Sequence, residues 1–448
     1  MRAPAAALSA VALALVAGGA AARSTQAPPA VLLVPDDARV TITGATFAAG
    51  FPRSARLDAP GDVNGDGKAD LIVLNVQGHA GDETHSFVVF GGALPAALGL
   101  DRLGARGVRV LRSVRGEHIA AGGDFNRDRR VDLIRCGPRI EILLGGRPLG
   151  AQRGDTISGA SCGASAGDVD GDGAADLLVR FYTGPQSSQM RTAVVFGSSA
   201  KRRTLAVGRL RNRGFTIRSA IVPLVDAAPV DDVNGDGRAD LVVRRGRLGR
   251  AILHVIFGRR RTGTLVLDDR RSSTVPVVLV KPQAERVASA GDFNGDGIGD
   301  LAVAERGVRV CIVFGRHGAW PAESGCSAER GILIVRGLPQ GHDLGFAVQS
   351  AGDVDGDGYD DLLVSTPGER RGDREASSTG AVYLVYGRKS VGRVSLATDD
   401  RVLKITGGPA LREELGFQLG APGDMTADGR PDIVLGGFWS GQAWILSP

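Results

Sequence analysis

The chain has 448 residues, with 66 glycines and a net charge of +5 from 54 lysines and arginines against 49 aspartates and glutamates. So much glycine, with no long run of Ala, Leu, Glu and Lys after the first two dozen residues, argues against a helical protein and for short strands and turns. The excess charge permits an anionic partner, but the basic residues form no nucleic-acid-binding module, so no nucleic-acid partner is expected.

In chain order, "MRAPAAALSAVALALVAGGAAARS" comes first: a cation at Arg2, an apolar stretch too short to span a bilayer, and small residues up to Ala22. Residues 1–22 therefore read as a signal peptide, 23–38 as a linker, and 39–448 as the folded body. Cys136 is the first cysteine, so no lipid-anchor cysteine stands at the cleavage site, and "AWILSP" does not resemble a wall-sorting tail. A secreted or cell-envelope protein without stable membrane insertion is expected, as a monomer. Four cysteines in an exported chain suit local disulfides, Cys136 with Cys162 and Cys311 with Cys326, other pairings being open.

From residue 39 the chain repeats itself. An orphan strand, "ARVTITG" at 38–44, precedes seven acid knots: "DVNGDGKAD" from Asp62, "DFNRDRRVD" from Asp124, "DVDGDGAAD" from Asp168, "DVNGDGRAD" from Asp232, "DFNGDGIGD" from Asp292, "DVDGDGYDD" from Asp353 and "DMTADGRPD" from Asp424. The repeat of about sixty residues suits a four-stranded propeller blade with loops. Each knot follows one short apolar segment and runs into a second, such as "DLIVL" or "DLLVS". A third follows, such as "SFVVFGG" or "VYLVYGR", and a fourth, such as "GFTIRS" or "RVLKITG". The seventh unit stops after its third strand, so pairing it with the orphan strand would close a ring and remove an open edge. The expected fold is all-β, a seven-bladed propeller of four-stranded antiparallel blades, closed by the N-terminal strand.

The stretch "LGFAVQSAGDVDGDGYDDLLVSTPGE…TGAVYLVYG" at 344–387 resembles the FG-GAP repeat of integrin α-subunit propellers and of many secreted bacterial proteins. The resemblance covers nearly everything after residue 38. It is strongest in unit six, the Phe-Gly pair of the name being lost or replaced in several units. Leu344-Gly345-Phe346 and Leu415-Gly416-Phe417 keep the opening segment best. The resemblance implies a propeller and ligand binding on the face away from the acid knots.

In D-x-[DN]-x-D-G-x-x-D, positions 1, 3, 5 and 9 offer hard oxygen side chains and position 7 a backbone carbonyl, a donor set suited to Ca²⁺. The expected ligands are Asp62, Asn64, Asp66, Lys68 and Asp70; Asp168, Asp170, Asp172, Ala174 and Asp176; Asp232, Asn234, Asp236, Arg238 and Asp240; Asp292, Asn294, Asp296, Ile298 and Asp300; and Asp353, Asp355, Asp357, Tyr359 and Asp361. An EF-hand would place Glu at position 12, where these five loops have valine inside a strand. A metal-free Asx-rich turn is the plainer alternative for any single loop. Two loops are weaker candidates. Loop 2 (Asp124, Asn126, Asp128, Asp132) has Arg129 at the position-6 glycine, and loop 7 (Asp424, Thr426, Asp428, Asp432) has Thr426 at position 3. About five Ca²⁺ ions, and up to seven, are expected, coupled to folding because the clustered acids repel one another.

Enzyme motifs dissolve in this context. Gly159-Ala160-Ser161-Cys162-Gly163 matches G-x-S-x-G but lies between strands, where a nucleophile elbow needs a following helix. Ser198-Ser199-Ala200-Lys201 matches S-x-x-K without its companion motifs. The six histidines have no metal-ligand spacing, and His79 and His85 are expected in a solvated loop. Two Arg-Gly-Asp triplets occur, at 153–155 and 371–373, the second in the long polar loop "STPGERRGDREASSTG". The reading favoured is a secreted, calcium-stabilised binding or adhesion module for a protein or glycan, with its ligand on the face formed by the 2–3 and 4–1 loops. The alternative is an extracellular glycan-acting lyase or hydrolase with its site on that face.

Overall fold

The computed structural model describes residues 30–448 except 35, 45–55, 78–83, 114–116, 150–151, 161, 184–188, 200–202, 220–223, 247–251, 268–277, 281–285, 306, 319, 321–330, 336–343, 368–378, 408–414 and 438–441. Seven sheets follow one another along the chain, each antiparallel through its first four strands. The innermost strands, one per blade, are Arg56–Gly61, His118–Gly123, Cys162–Gly167, Leu224–Val230, Arg286–Gly291, Val348–Gly352 and Gln418–Gly423. Each touches the innermost strand of the next blade, and that of blade 7 touches that of blade 1, so the ring is closed.

Blade 7 is completed as the orphan strand requires. Val40–Thr43 pairs antiparallel with Gln442–Leu446, with Ile42 opposite Ala443 and Val40 opposite Ile445. Val40–Thr43 and the last strand of the chain thus share one sheet, and no blade lacks its fourth strand.

The core is divided among seven clusters, one between each pair of neighbouring blades. Period-2 alternation explains the division. In blade 1, Leu71 and Val73 face blade 7 while Ile72 and Leu74 face blade 2. Both faces of each sheet are covered, which is why the second strands read as unbroken apolar runs. The Cys136–Cys162 disulfide forms as expected and joins the second strand of blade 2 to the innermost strand of blade 3. Cys311 is also disulfide-bonded; Cys326 lies outside the described residues.

Three details depart from the sequence expectation. Five blades carry a fifth strand, added parallel to the outer edge. Residues expected in the linker include one of these, Ala30–Val34, which pairs with Val402–Gly407 of blade 6. His85 lies in the third strand of blade 1, Thr84–Val89, stacked on Phe87, and not in the 2–3 loop; the polar start of "THSFVV" disguised the strand.

Ring closure makes Ile42, fully buried in the seam between blades 7 and 1, a test of this architecture. Ile42→Ala should destabilise by about 2–5 kcal/mol in urea unfolding, whereas Val31→Ala, at a position 54% exposed, should stay within about 0.5 kcal/mol. Equal effects would mean that the terminal strand does not hold the seam.

Candidate metal centre

Each acid loop joins the innermost strand of its blade to the second. Its first aspartate shapes the turn: one oxygen of Asp62 accepts the Gly65 and Asp66 N–H groups and the other accepts that of Gly67. Asp168, Asp232, Asp292 and Asp353 repeat the pattern. These are Asx-turn bonds and do not themselves call for a cation.

The ninth aspartate is fully buried in all seven loops. In six loops one oxygen accepts the position-2 N–H, as from Val63 to Asp70 at 2.8 Å and from Val169 to Asp176 at 2.9 Å, and in loop 5 Asp300 accepts the position-3 N–H of Asn294 at 3.2 Å. The other accepts the N–H of a glycine just past the third strand: Gly91, Gly145, Gly197, Gly258, Gly315 and Gly387, at 2.7–3.0 Å. A Cβ on Gly197 would lie 2.3 Å from the Ala175 carbonyl oxygen. This contact gives the recurring Phe-Gly or Tyr-Gly its physical reason. Blade 7 ends in Ser447-Pro448, and there the Ser447 hydroxyl donates to Asp432 instead.

The loops lie on one rim, linked by their backbones. The position-8 N–H of each loop donates to the position-1 carbonyl of the loop before it: Val131 to Asp62, Ala175 to Asp124, Ala239 to Asp168, Gly299 to Asp232, Asp360 to Asp292 and Ala69 to Asp424. The seventh link lacks a donor because loop 7 has Pro431 at position 8.

Expected ligands converge within this frame. Carboxylate oxygens of Asp168, Asp170 and Asp176 lie within 4.8 Å of one another, as do those of Asp353, Asp355 and Asp357. At position 3, the Oδ1 atoms of Asn64, Asp170 and Asn294 are buried without a hydrogen-bond partner. In loops 4 and 6 the equivalent oxygen accepts the position-5 N–H, Asp236 to Asn234 at 2.9 Å and Asp357 to Asp355 at 3.2 Å. Position-7 side chains turn toward the preceding loop: Arg238 would meet a Cβ on Gly171, and Tyr359 one on Gly295. Orphaned hard oxygens at one equivalent position in three loops, beside carboxylates, fit a divalent cation that takes six to eight oxygens.

Loops 2 and 7 depart from the others in their backbone. Arg127 and Arg129 adopt φ of 65° and 67°, and Ala427 adopts 63°. The sequence singled out position 6 in loop 2, but position 4 also needs the left-handed region, where the five full loops have glycine. Arg127 reaches across to pair with Asp172 of loop 3. Position-5 carboxylates meet arginines elsewhere too: Asp66 with Arg147 at 3.0 Å, Asp357 with Arg401 at 2.7 Å and Asp428 with Arg39 at 2.8 Å. Part of the arginine excess thus faces the acid rim.

Residues 345–385 match the FG-GAP repeat family. The chain is also similar to integrin α pat-2 of Caenorhabditis elegans, 35% identical over 117 residues, which are 25% of this chain and 9% of that protein. It is 31% identical to mouse integrin α-IIb over 156 residues, 31% of this chain and 14% of that protein. The protein is a seven-bladed β-propeller that is similar, over part of its length, to the FG-GAP repeat and to integrin α-chains. The matches span about a tenth of those relatives' length. Among solved structures, BBS1N in complex with ARL6DN aligns over 92% of this chain and 96% of that one, with 13% identity and a TM-score of 0.45.

Other motifs in the propeller occupy structural positions or fall outside the described residues. Arg153-Gly154-Asp155 is part of a strand, with Arg153 paired to Glu141 at 2.5 Å and Asp155 buried against Arg213 at 3.2 Å. Arg371-Gly372-Asp373, Ser161 and Lys201 lie outside the described residues. Cys162 opens a strand, so no helix follows the G-x-S-x-G match. His254 is buried in the third strand of blade 4, and burial lowers its pKa to about 4.

Burial dominates the electrostatics of the ninth aspartates. It pushes Asp176 and Asp300 up to about 8, Asp132, Asp240 and Asp361 to about 7 and Asp70 to about 6, against opposing backbone N–H bonds. A carboxyl whose pKa is raised by folding favours the neutral form in the fold. Its contribution is complete below the ordinary carboxylate range and is lost as pH rises through the folded value. In chelator, the melting temperature should therefore fall between pH 5 and pH 8, as scanning calorimetry would register; a rise over that interval contradicts this electrostatic account.

Proposed function

We propose that the protein is a secreted, calcium-stabilised propeller that binds a protein or glycan ligand on the face of the 2–3 and 4–1 loops. The signal-like residues 1–22 support export. The orphaned Oδ1 atoms of Asn64, Asp170 and Asn294 support calcium, with full sites in loops 1, 3, 4, 5 and 6 and weaker ones in loops 2 and 7. Calcium there is structural: it neutralises acids crowded into the first turn of each blade.

One observation carries the binding-module reading. The acid loops are tied to one another around one rim and enclosed by the ends of the third strands, so that rim is committed to holding the blades together. The 2–3 and 4–1 connections leave from the opposite ends of the strands; in sequence one of them is the long polar segment around Arg371-Gly372-Asp373, which lies outside the described residues. Similarity to integrin α-chains favours a module that engages ligands over one that transforms them, and no helix among the described residues is long and apolar enough to cross a membrane.

Two measurements test the proposal. Calcium added to chelator-treated protein should raise the melting temperature at pH 8, by about 2.7 kcal/mol of stability for a site at one hundred times its Kd, and Asp170→Ala should remove part of the gain. No gain would reject the metal reading. Cells or glycans held by the immobilised protein should be released when residues 368–378 are replaced by a Gly-Ser linker but not by Arg39→Ala on the acid rim. The reverse pattern would place the ligand on the wrong face for this proposal.

A further inference from the structure

The fifth strands follow one rule in five blades; blades 1 and 4 have four strands among the described residues, and the connector that would lend to blade 4, residues 314–330, lies mostly outside them. In each case the segment before the outer strand of one blade lies parallel to the outer strand of the preceding blade. Residues 97–99 of blade 1 lie on blade 7, 204–206 of blade 3 on blade 2, 263–266 of blade 4 on blade 3, 392–395 of blade 6 on blade 5, and 30–34, ahead of the outer strand of blade 7, on blade 6. The register repeats as well. An aliphatic side chain of the lent strand sits opposite an isoleucine each time: Leu98 on Ile42, Leu205 on Ile157, Leu265 on Ile217, Val394 on Ile334 and Leu32 on Ile405.

Blade 1 should receive its strand from the blade 2 connector, residues 144–152. The lending connectors are longer, 90–106, 196–213, 257–277 and 386–401, and this one turns straight back, with the Leu144 N–H donating to the Gln152 carbonyl. Among the described residues nothing pairs with the outer side of Gly107–Ser113. The short spacing between the second and third acid knots comes in part from this connector and in part from the tight turn between Cys136 and Ile140.

The bare edge differs from its counterparts in cover and in charge. Val108, opposite Val88, is 37% exposed, whereas the equivalent Val40, Phe215 and Ile332 are 0–3% exposed. Arg102, Arg106 and Arg109 are exposed, Arg102 lying 3.5 Å from Asp101. An unpaired edge is a template for another strand. The arginines, with the bulge that leaves Val110 of the edge strand unpaired between Arg109 and Leu111, disfavour pairing with a second copy of the same basic edge. The same charges complement an acidic strand.

We propose that the outer edge of blade 1 docks an acidic, extended segment of a partner protein as a parallel fifth strand. Backbone bonds give the segment its place, alternate aliphatic side chains cover Val108, and carboxylates meet Arg106 and Arg109. The site is separate from the ligand face and from the metal rim, so it stands or falls independently of both.

A fluorescein-labelled eight-residue peptide alternating Glu with Val or Ile is the probe, read by anisotropy against the full chain. Saturable binding is expected, weakened by about tenfold or more in Arg109→Glu and unchanged in Arg261→Glu, with both variants melting like the parent. A peptide of equal charge with prolines at the aliphatic positions should fail to bind, because it cannot form the ladder. Equal binding of the proline peptide, equal loss in Arg261→Glu, or no binding at all overturns the proposal. So does a concentration-dependent dimer that Arg109→Glu dissolves, because a second copy would then occupy the edge.

Discussion

The buried carboxylate at the ninth position of each acid loop holds the blade together. It lies where the turn between the first two strands meets the end of the third, and it accepts backbone hydrogen bonds from both. No neutral side chain of similar size offers two acceptor oxygens to donors from opposite sides. Burial favours its neutral form, the N–H donors favour its charged form, and the neighbouring aspartates oppose the charge. A divalent cation beside it would relieve that conflict.

Around the axis the blades fit by complementary size. The residue before each loop faces position 8 of the next loop. It is glycine in six blades, and a Cβ on Gly123 would lie 2.5 Å from that of Ala175. Blade 4 has Asp231 there, and the facing residue is Gly299; loop 6 has Asp360 at position 8, and the facing residue is Gly291. Bulk on one side is matched by glycine on the other, as close packing demands. Pro431 is the exception in hydrogen bonding, since position 8 of loop 7 has no N–H to donate to loop 6; a Cβ on Gly352 would lie 3.3 Å from the Pro431 ring.

What could be read from the sequence was whatever is contiguous in it. Each acid loop keeps its ligands within nine residues, and its apolar flanks alternate over short runs, so blade number, strand order and ring closure were legible. The Cys136–Cys162 bridge was legible because its partners are local. The second duty of the ninth aspartate was not, because its glycine donors come up to 26 residues later. The lent strands were hidden for a different reason: some are only three residues long, with a single aliphatic side chain and too little pattern to register as strands. Ion pairs such as Arg39 with Asp428 join the two ends of the chain, and only ring closure brings them together.

Near-identical acid loops need not depend equally on a cation. In loops 1, 3 and 5 the position-3 oxygen is buried and unpartnered, a state that costs about 1–3 kcal/mol for each such group. In loop 4 the Asn234 oxygen already accepts the Asp236 N–H, and loop 2 closes the same bond between Asn126 and Asp128. Loop 2 also sends Arg127 to Asp172, so a fixed positive charge of the protein stands beside a neighbouring acid cluster. The repeated motif therefore describes a graded series, from loops with an unpartnered Oδ1 at position 3 to loops that satisfy that atom. The grading follows local hydrogen bonding at position 3 more closely than the number of aspartates in the knot.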